Sequence, residues 1–184
     1  FLYTHNVHLG AVLFVFLDRA GLTSLWAKQL VTLLAFGAGL YYLFLTLRYV
    51  TRSKWVALIV LLLFCMEYVQ GFSFALNALR AWHWVALFGV TYHVLRFVSA
   101  ENVRGKKDLY AITLFIAISF GIGYEFLAIV GLIAFLVSLL CARSSARGGA
   151  CLLWLVGSVA LIFGIRQAQV ISVLDFDFWS LDFI

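Results

Sequence analysis

The sequence predicts an all-α fold: a polytopic transmembrane helix bundle of about six spans, with a short surface or re-entrant helix on its N-terminal side. Three observations predict it. The first is composition. Of 184 residues, 65% are hydrophobic, 17% aromatic and 11% charged, where a soluble domain is about half apolar and about a quarter charged. The 13 basic and 8 acidic side chains cannot cover a water-facing surface while 18 Phe, 8 Tyr and 6 Trp are hidden. A soluble enzyme, a disordered chain and a secreted disulfide scaffold are thereby excluded. The second observation is a series of apolar runs of membrane-crossing length. The third is that basic residues segregate into alternate connections.

Leu9 to Leu17 is apolar but too short to cross about 30 Å of hydrocarbon, which takes about 20 residues. It is read as the surface or re-entrant helix. Leu30 to Leu47 is the first span. Trp55 to Met66 begins the second, which continues past Glu67 to reach full length. Ala81 to Val98 is the third. Leu109 to Ala142 would measure about 51 Å as one straight helix, far more than a bilayer core. Gly121-Ile-Gly123-Tyr-Glu125 marks its break, giving a fourth span (109–122) and a fifth (126–142). Ala150 to Ile165 is the sixth. The chain has no proline, where usage of about 5% predicts about nine. It opens on Phe1 and ends on Leu181-Asp182-Phe183-Ile184. Residues 1–184 are therefore expected to be a single transmembrane domain, an internal fragment of a longer chain. Cys65, Cys141 and Cys151 have neither metal nor redox spacing and read as small buried apolar side chains.

Charge orients these spans. Loops 48–54, 96–108 and 143–149 fall on one face and carry Arg48, Arg52, Lys54, Arg96, Arg104, Lys106, Lys107, Arg143 and Arg147. The other face holds only Arg19, Lys28, Arg80 and Arg166, together with most of the acids: Asp18, Glu67, Glu125, Asp175, Asp177 and Asp182. Positive charge favours the inside, so the basic loops are placed in the cytoplasm and the protein in a cytoplasmic (inner) membrane. The six Trp residues fall near span ends, as an interfacial belt requires. Membrane lipids are the expected partners. The net charge of +5 follows from the loop asymmetry, and no basic-aromatic motif points to nucleic acid.

The basic loops, including Glu101 to Asp108, read as solvated connectors that touch anionic headgroups. The outer side gathers the candidate substrate- or phosphate-binding residues: His5, Asn6, His8, Glu67, Gln70, Arg80, His83, Glu125 and Arg166. An ionisable group at the hydrocarbon edge costs about 2.5–3.5 kcal/mol unless it faces protein, water or a partner. Two arrangements fit: a polar cavity open to the outside, or structural pairs of Glu67 with Arg80 and Glu125 with Arg166. His5 and His8, three residues apart, share one face of a helical turn. With a carboxylate they form a weak candidate site for a divalent metal ion; no other cofactor is indicated. Arg80 and Arg166 present planar donor forks suited to phosphate, or snorkel to headgroups. His93 reads as a hydrogen-bonded histidine within the bundle. It lies about 15 Å along the helix from His83 and is rotated from it by about 80°, so that helix cannot bring both to one haem iron.

Tyr3-Thr-His5-Asn6-Val-His8-Leu-Gly10, the short apolar run after it and Asp18-Arg19-Ala-Gly21 lead into the first span. They are followed by the basic hairpin Arg48 to Lys54, the outer Glu67-Tyr-Val-Gln70-Gly71 and Trp82-His83-Trp84, and the hinged spans at Gly121 to Glu125. This order resembles the C-type, multi-spanning membrane glycosyltransferases that use polyprenyl-phosphate-linked sugars, over about residues 3–165. The resemblance implies sugar transfer at the outer membrane face. The donor's lipid tail would lie between spans, its phosphate near Arg166 or Arg80, and a carboxylate would act as general base. His5 or His8 would orient the phosphate or a metal. That family's catalytic acid precedes the position of His5, so no catalytic residue is assigned. The alternative is a non-catalytic integral membrane subunit of a larger complex, suggested by the surplus of Phe facing lipid or partner subunits. A transporter fits less well, because no inverted repeat is evident. The topology has a direct check: an impermeant amine reagent should label Lys106 and Lys107 in inverted membrane vesicles and leave them unlabelled in intact cells.

Overall fold

The computed structural model describes residues 15–22, 24–70, 78–99, 105–122 and 124–174. Among these residues the chain is helical and forms no strand. Six long helices follow one another: α1 (Leu25–Thr51), α2 (Lys54–Gln70), α3 (Ala78–Ser99), α4 (Lys106–Ile122), α5 (Tyr124–Cys141) and α6 (Ser145–Leu174). A helical turn at 15–19 precedes them and stops at Gly21, whose φ of 82° suits glycine alone. It occupies the end of the run expected to form a short helix; residues 1–14 lie outside the described residues.

Serine hydroxyls start three of the helices. Ser24 accepts from the Ala27 N–H at 3.2 Å, Ser53 from Val56 at 3.3 Å and Ser144 from Arg147 at 3.3 Å. Each satisfies a backbone donor that the first helical turn leaves unpaired, worth about 1 kcal/mol. Only Arg52 and Ser53 separate α1 from α2, and Arg52 turns the chain with a left-handed φ of 55°. The long fourth apolar run breaks where its glycines predict, between Ile122 and Tyr124. α6 departs from expectation: it continues beyond Ile165 to Leu174. Apolarity ends at Arg166, but Gln167-Ala-Gln-Val-Ile contains no Gly or Pro to stop a helix.

Side-chain contacts give the directions. α1 and α3 run parallel, with Gly39 against Trp84, Tyr42 beside Tyr92, and Tyr49 bonded to Ser99. α3 and α4 run antiparallel, with Gly89 against Phe115 and His93 on Asp108. α4 and α6 are parallel, joined near one end by Trp154 Nε1 donating to Leu109 O at 2.9 Å and further along by the rings of Phe120 and Phe163. His83 meets Phe126 where α3 and α5 begin, and the Arg143 N–H donates to Val98 O at the other end. α3 is the hub, packed on α1, α4, α5 and α6.

The interior mixes large apolar residues, among them Ile112, Ile116 and Phe115, with small and mildly polar ones. Ala35, Ala57, Ala81, Ala86, Ala134, Ser119, Ser138 and Ser158 are buried, while Leu34, Leu62, Leu140, Leu153 and Val156 are exposed. Ser119 and Ser138 donate to the carbonyls of Phe115 and Ala134, one turn back, so these hydroxyls are satisfied within their own helices. Phe115 and Phe120 are buried, so part of the Phe surplus fills the core instead of facing outward.

Two helical stretches are long and apolar enough to cross a membrane: Gln29–Thr51 and Ser145–Ile165, 23 and 21 residues. At 1.5 Å per residue they measure about 34 and 31 Å. α2 and α5 contribute the shorter apolar stretches Lys54–Met66 and Phe126–Cys141. α3 has 22 residues, but its His, Trp, Tyr and Arg side chains make it less apolar, and it is the helix the others cover.

Gly39 lets α1 come close to the backbone of α3. A Cβ there would lie 2.8 Å from Trp84 Cβ and 3.1 Å from the α3 backbone at Trp84 and Val85. Backbone cannot yield as a flexible side chain can. Gly39→Ala should therefore cost about 1–3 kcal/mol by overpacking. Gly37→Ala, which meets nothing within 4 Å, should be neutral or stabilising by up to about 1 kcal/mol. Unfolding of the two purified variants in detergent micelles measures the difference.

Candidate functional site

The helix directions gather several of the sequence-predicted residues at one end of the bundle. Glu67 and Gln70 lie in the last turn of α2, and Arg80 and His83 in the first two turns of α3. Glu125 is the second residue of α5, and Arg166 follows the apolar stretch of α6. Of these, His83 has a described side chain. It is half-buried, its ring edge-on to Phe126 with centroids 4.4 Å apart, which brings the start of α3 beside the start of α5. The side chains of Glu67, Gln70, Arg80, Glu125 and Arg166 lie outside the described residues, as do His5, Asn6 and His8 entirely. The expected Glu67–Arg80 and Glu125–Arg166 pairs fall there too. Among the described residues no group of three His, Cys, Asp or Glu forms a metal centre.

The opposite, basic end holds a cluster that hydropathy does not reveal. Asp108 sits in the first turn of α4, where a negative charge meets the positive end of the helix dipole. Its side chain is only 6% exposed. The expectation of a solvated connector is therefore corrected at this residue: folding turns Asp108 inward onto α3. There His93 Nδ1 lies 2.8 Å from Oδ1, and Arg96 Nε donates to Oδ2 at 3.1 Å. A carboxylate only accepts, so the His93 hydrogen is placed on Nδ1. His93 and Arg96 are three residues apart and so share one face of α3. The His93 ring is boxed by Tyr42, Tyr92 and Phe115, with centroids 5.7, 5.1 and 5.8 Å away.

Arg96 connects this buried cluster to the surface. Its Nη1 donates to Tyr92 Oη at 3.4 Å. Tyr92 also lines a groove of about 520 Å³ with Leu45, Arg48, Tyr49, Arg52 and Ser99. Arg48 and Arg52 are exposed and make no ion pair among the described residues. A second cleft, about 640 Å³ and mainly apolar, lies between α4 and α6. It runs from Tyr110 and Ala150 to Leu161. Its polar lining is internally matched: Thr113 and Ser158 share a 2.8 Å hydrogen bond, and Trp154 Nε1 reaches Thr113 Oγ1 at 2.9 Å.

Comparison with protein-family models, with curated proteins and with solved structures yields no match.

Asp108 is the electrostatic anchor of the described cluster. Asp108→Ala leaves a histidine and an arginine without their acceptor. It should cost about 3 kcal/mol, the low end for buried pairs because the Arg96 side chain is 41% exposed. Lys107→Gln, one residue away and exposed, should change stability by less than about 0.5 kcal/mol. Thermal unfolding of both variants in the same detergent separates the two outcomes.

Proposed function

We propose that the chain is a six-span protein of the inner membrane, basic loops in the cytoplasm, that transfers sugar from a polyprenyl-phosphate donor at the outer face. Membrane residence is supported by the many large apolar side chains left exposed on the outside, among them Leu34, Leu62, Leu140, Leu153 and Val156, and by buried serines whose hydroxyls are satisfied within their own helices. The observation that carries the functional reading is the apolar cleft between α4 and α6. It ends at Leu161, little more than one helical turn before Arg166. An isoprenoid tail fits such a cleft, and its phosphate would then reach the end where α3 and α5 begin. In the proposed reaction a carboxylate, Glu67 or Glu125, takes the proton of the acceptor hydroxyl. The acceptor oxygen attacks the anomeric carbon, and the bond from that carbon to the phosphate oxygen breaks. The polyprenyl phosphate leaves with the electron pair, its charge met by Arg166 or Arg80.

A second reading, a non-catalytic membrane subunit, is favoured by one observation. The best-defined polar cluster, Asp108 with His93 and Arg96, is paired within the bundle and works as a tie between helices. The two readings separate in a transfer assay on the full-length protein with a polyprenyl-phosphate sugar donor. If the first holds, replacing the general base (Glu67→Gln or Glu125→Gln) should lower the rate by about 100-fold or more. Arg166→Gln should weaken donor binding. Transfer that is absent, or unchanged by all of Glu67→Gln, Arg80→Gln, Glu125→Gln and Arg166→Gln, removes these residues from any active site and leaves the subunit reading.

A further inference from the structure

We propose that the groove between the last turns of α1 and α3 is a binding site for the headgroup phosphate of an anionic phospholipid in the cytoplasmic leaflet. The site is distinct from the sugar-transfer end and rests on the membrane reading and its orientation, not on sugar transfer.

The groove is built from two parallel stripes. Leu45, Arg48 and Tyr49 follow the i, i+3, i+4 pattern on one face of α1, Arg52 caps the end of that helix, and Tyr92 and Ser99 are seven apart on α3. Tyr49 and Ser99 hydrogen-bond across it at 2.8 Å. Ser99 donates its one hydroxyl hydrogen to Leu95 O, so Tyr49 is the donor in that bond. Tyr92 Oη accepts from Arg96, which leaves its own hydrogen available. The groove therefore offers donors from Arg48, Arg52 and Tyr92, and no described carboxylate neutralises the two arginines. The negative end of the α1 dipole offsets only about half a charge. What remains is a cationic site with planar donor forks, matched to a phosphate.

The occupant follows from what lies below the groove. The same α1 stripe continues inward through Tyr41, 59% exposed, to Leu34, 65% exposed. From Leu34 to Leu45 is about 16 Å of helix, about half of a 30 Å hydrocarbon core. A phosphate held at Arg48 and Arg52 thus has an apolar track of one-leaflet depth beneath it. Free phosphate or a nucleotide would use the cationic mouth and leave that track empty.

Arg52 also supplies a discriminating variant. Its left-handed φ is one that glycine adopts without strain. Arg52→Gly should keep or raise stability while removing a donor, so lost binding cannot be blamed on misfolding. The test reconstitutes the full chain in phosphatidylcholine nanodiscs with and without phosphatidylglycerol. Retention of phosphatidylglycerol is read by native mass spectrometry after release into detergent. Wild type should retain it in preference to phosphatidylcholine. Arg52→Gly should lose about fivefold in affinity, the effect of one basic residue at an anionic surface, and Arg48→Gln with Arg52→Gly about 25-fold. Lys106→Gln with Lys107→Gln, the same charge change elsewhere at this end, should lose much less. Equal loss in the lysine variant would show diffuse attraction and overturn the site. Displacement of the lipid by millimolar inorganic phosphate would overturn the lipid as occupant. A chain that inserts normally without lipid preference defeats this inference alone. A chain that fails to enter the nanodisc defeats the membrane reading and the site with it.

Discussion

A carboxylate withdrawn from water must be met by donors, and in this bundle that requirement falls on Asp108. Its two partners, His93 and Arg96, come from one face of α3 and grip both oxygens of one carboxylate. Their geometry sets how α4 lies along α3. Once His93 is level with Asp108, Gly89 is level with Phe115 and Gly105 with Phe97, and each glycine admits a ring where a Cβ would collide. A slip by one helical turn would leave a buried charge unpaired and drive Cβ atoms into aromatic rings. Apolar contacts alone tolerate such slips, because one Leu packs much like another. The polar cluster makes one register far better than its neighbours.

α3 turns that local register into the architecture of the bundle. It bears the small residues Ala81, Ala86 and Gly89, and its buried valines face several neighbours. Through it the α3–α4 pairing is passed to α1 at Gly39 and Tyr42, and to α5 at Phe126. The two ends of the molecule thereby acquire different chemistry. One collects helix ends bearing Glu67, Arg80, His83 and Glu125. The other collects Arg48, Arg52 and Arg96 around tyrosine hydroxyls.

Much of the fold was legible in the sequence, because apolarity is a local property that can be read residue by residue. The six helices lie where the apolar runs place them, and the glycines around residue 122 break the longest run. The extension of α6 was not legible from hydropathy, since helix continuation depends on the absence of a stop signal and not on grease. Nor was the hub position of α3, whose mixed composition hides its burial. At the candidate sites, the clustering of helix ends followed from alternating direction, and the described ring of His83 agrees with it. Asp108 was misread because a charge beside Lys106 and Lys107 looks like loop. The available signal was the pair His93 and Arg96, set back from the connection about as far as Asp108 lies beyond it. Reading it requires knowing where the hairpin closes, which is a tertiary fact.

The link of Arg52 and Ser53 has a mechanical consequence. Three Cα–Cα steps of about 3.8 Å separate Thr51 from Lys54, so the joined ends of α1 and α2 can never stand more than about 11 Å apart. The two helices form a clasp: neither can slide along its axis by two turns without dragging the other. The start of α2 therefore stays beside Arg48 and Arg52 at the end of α1.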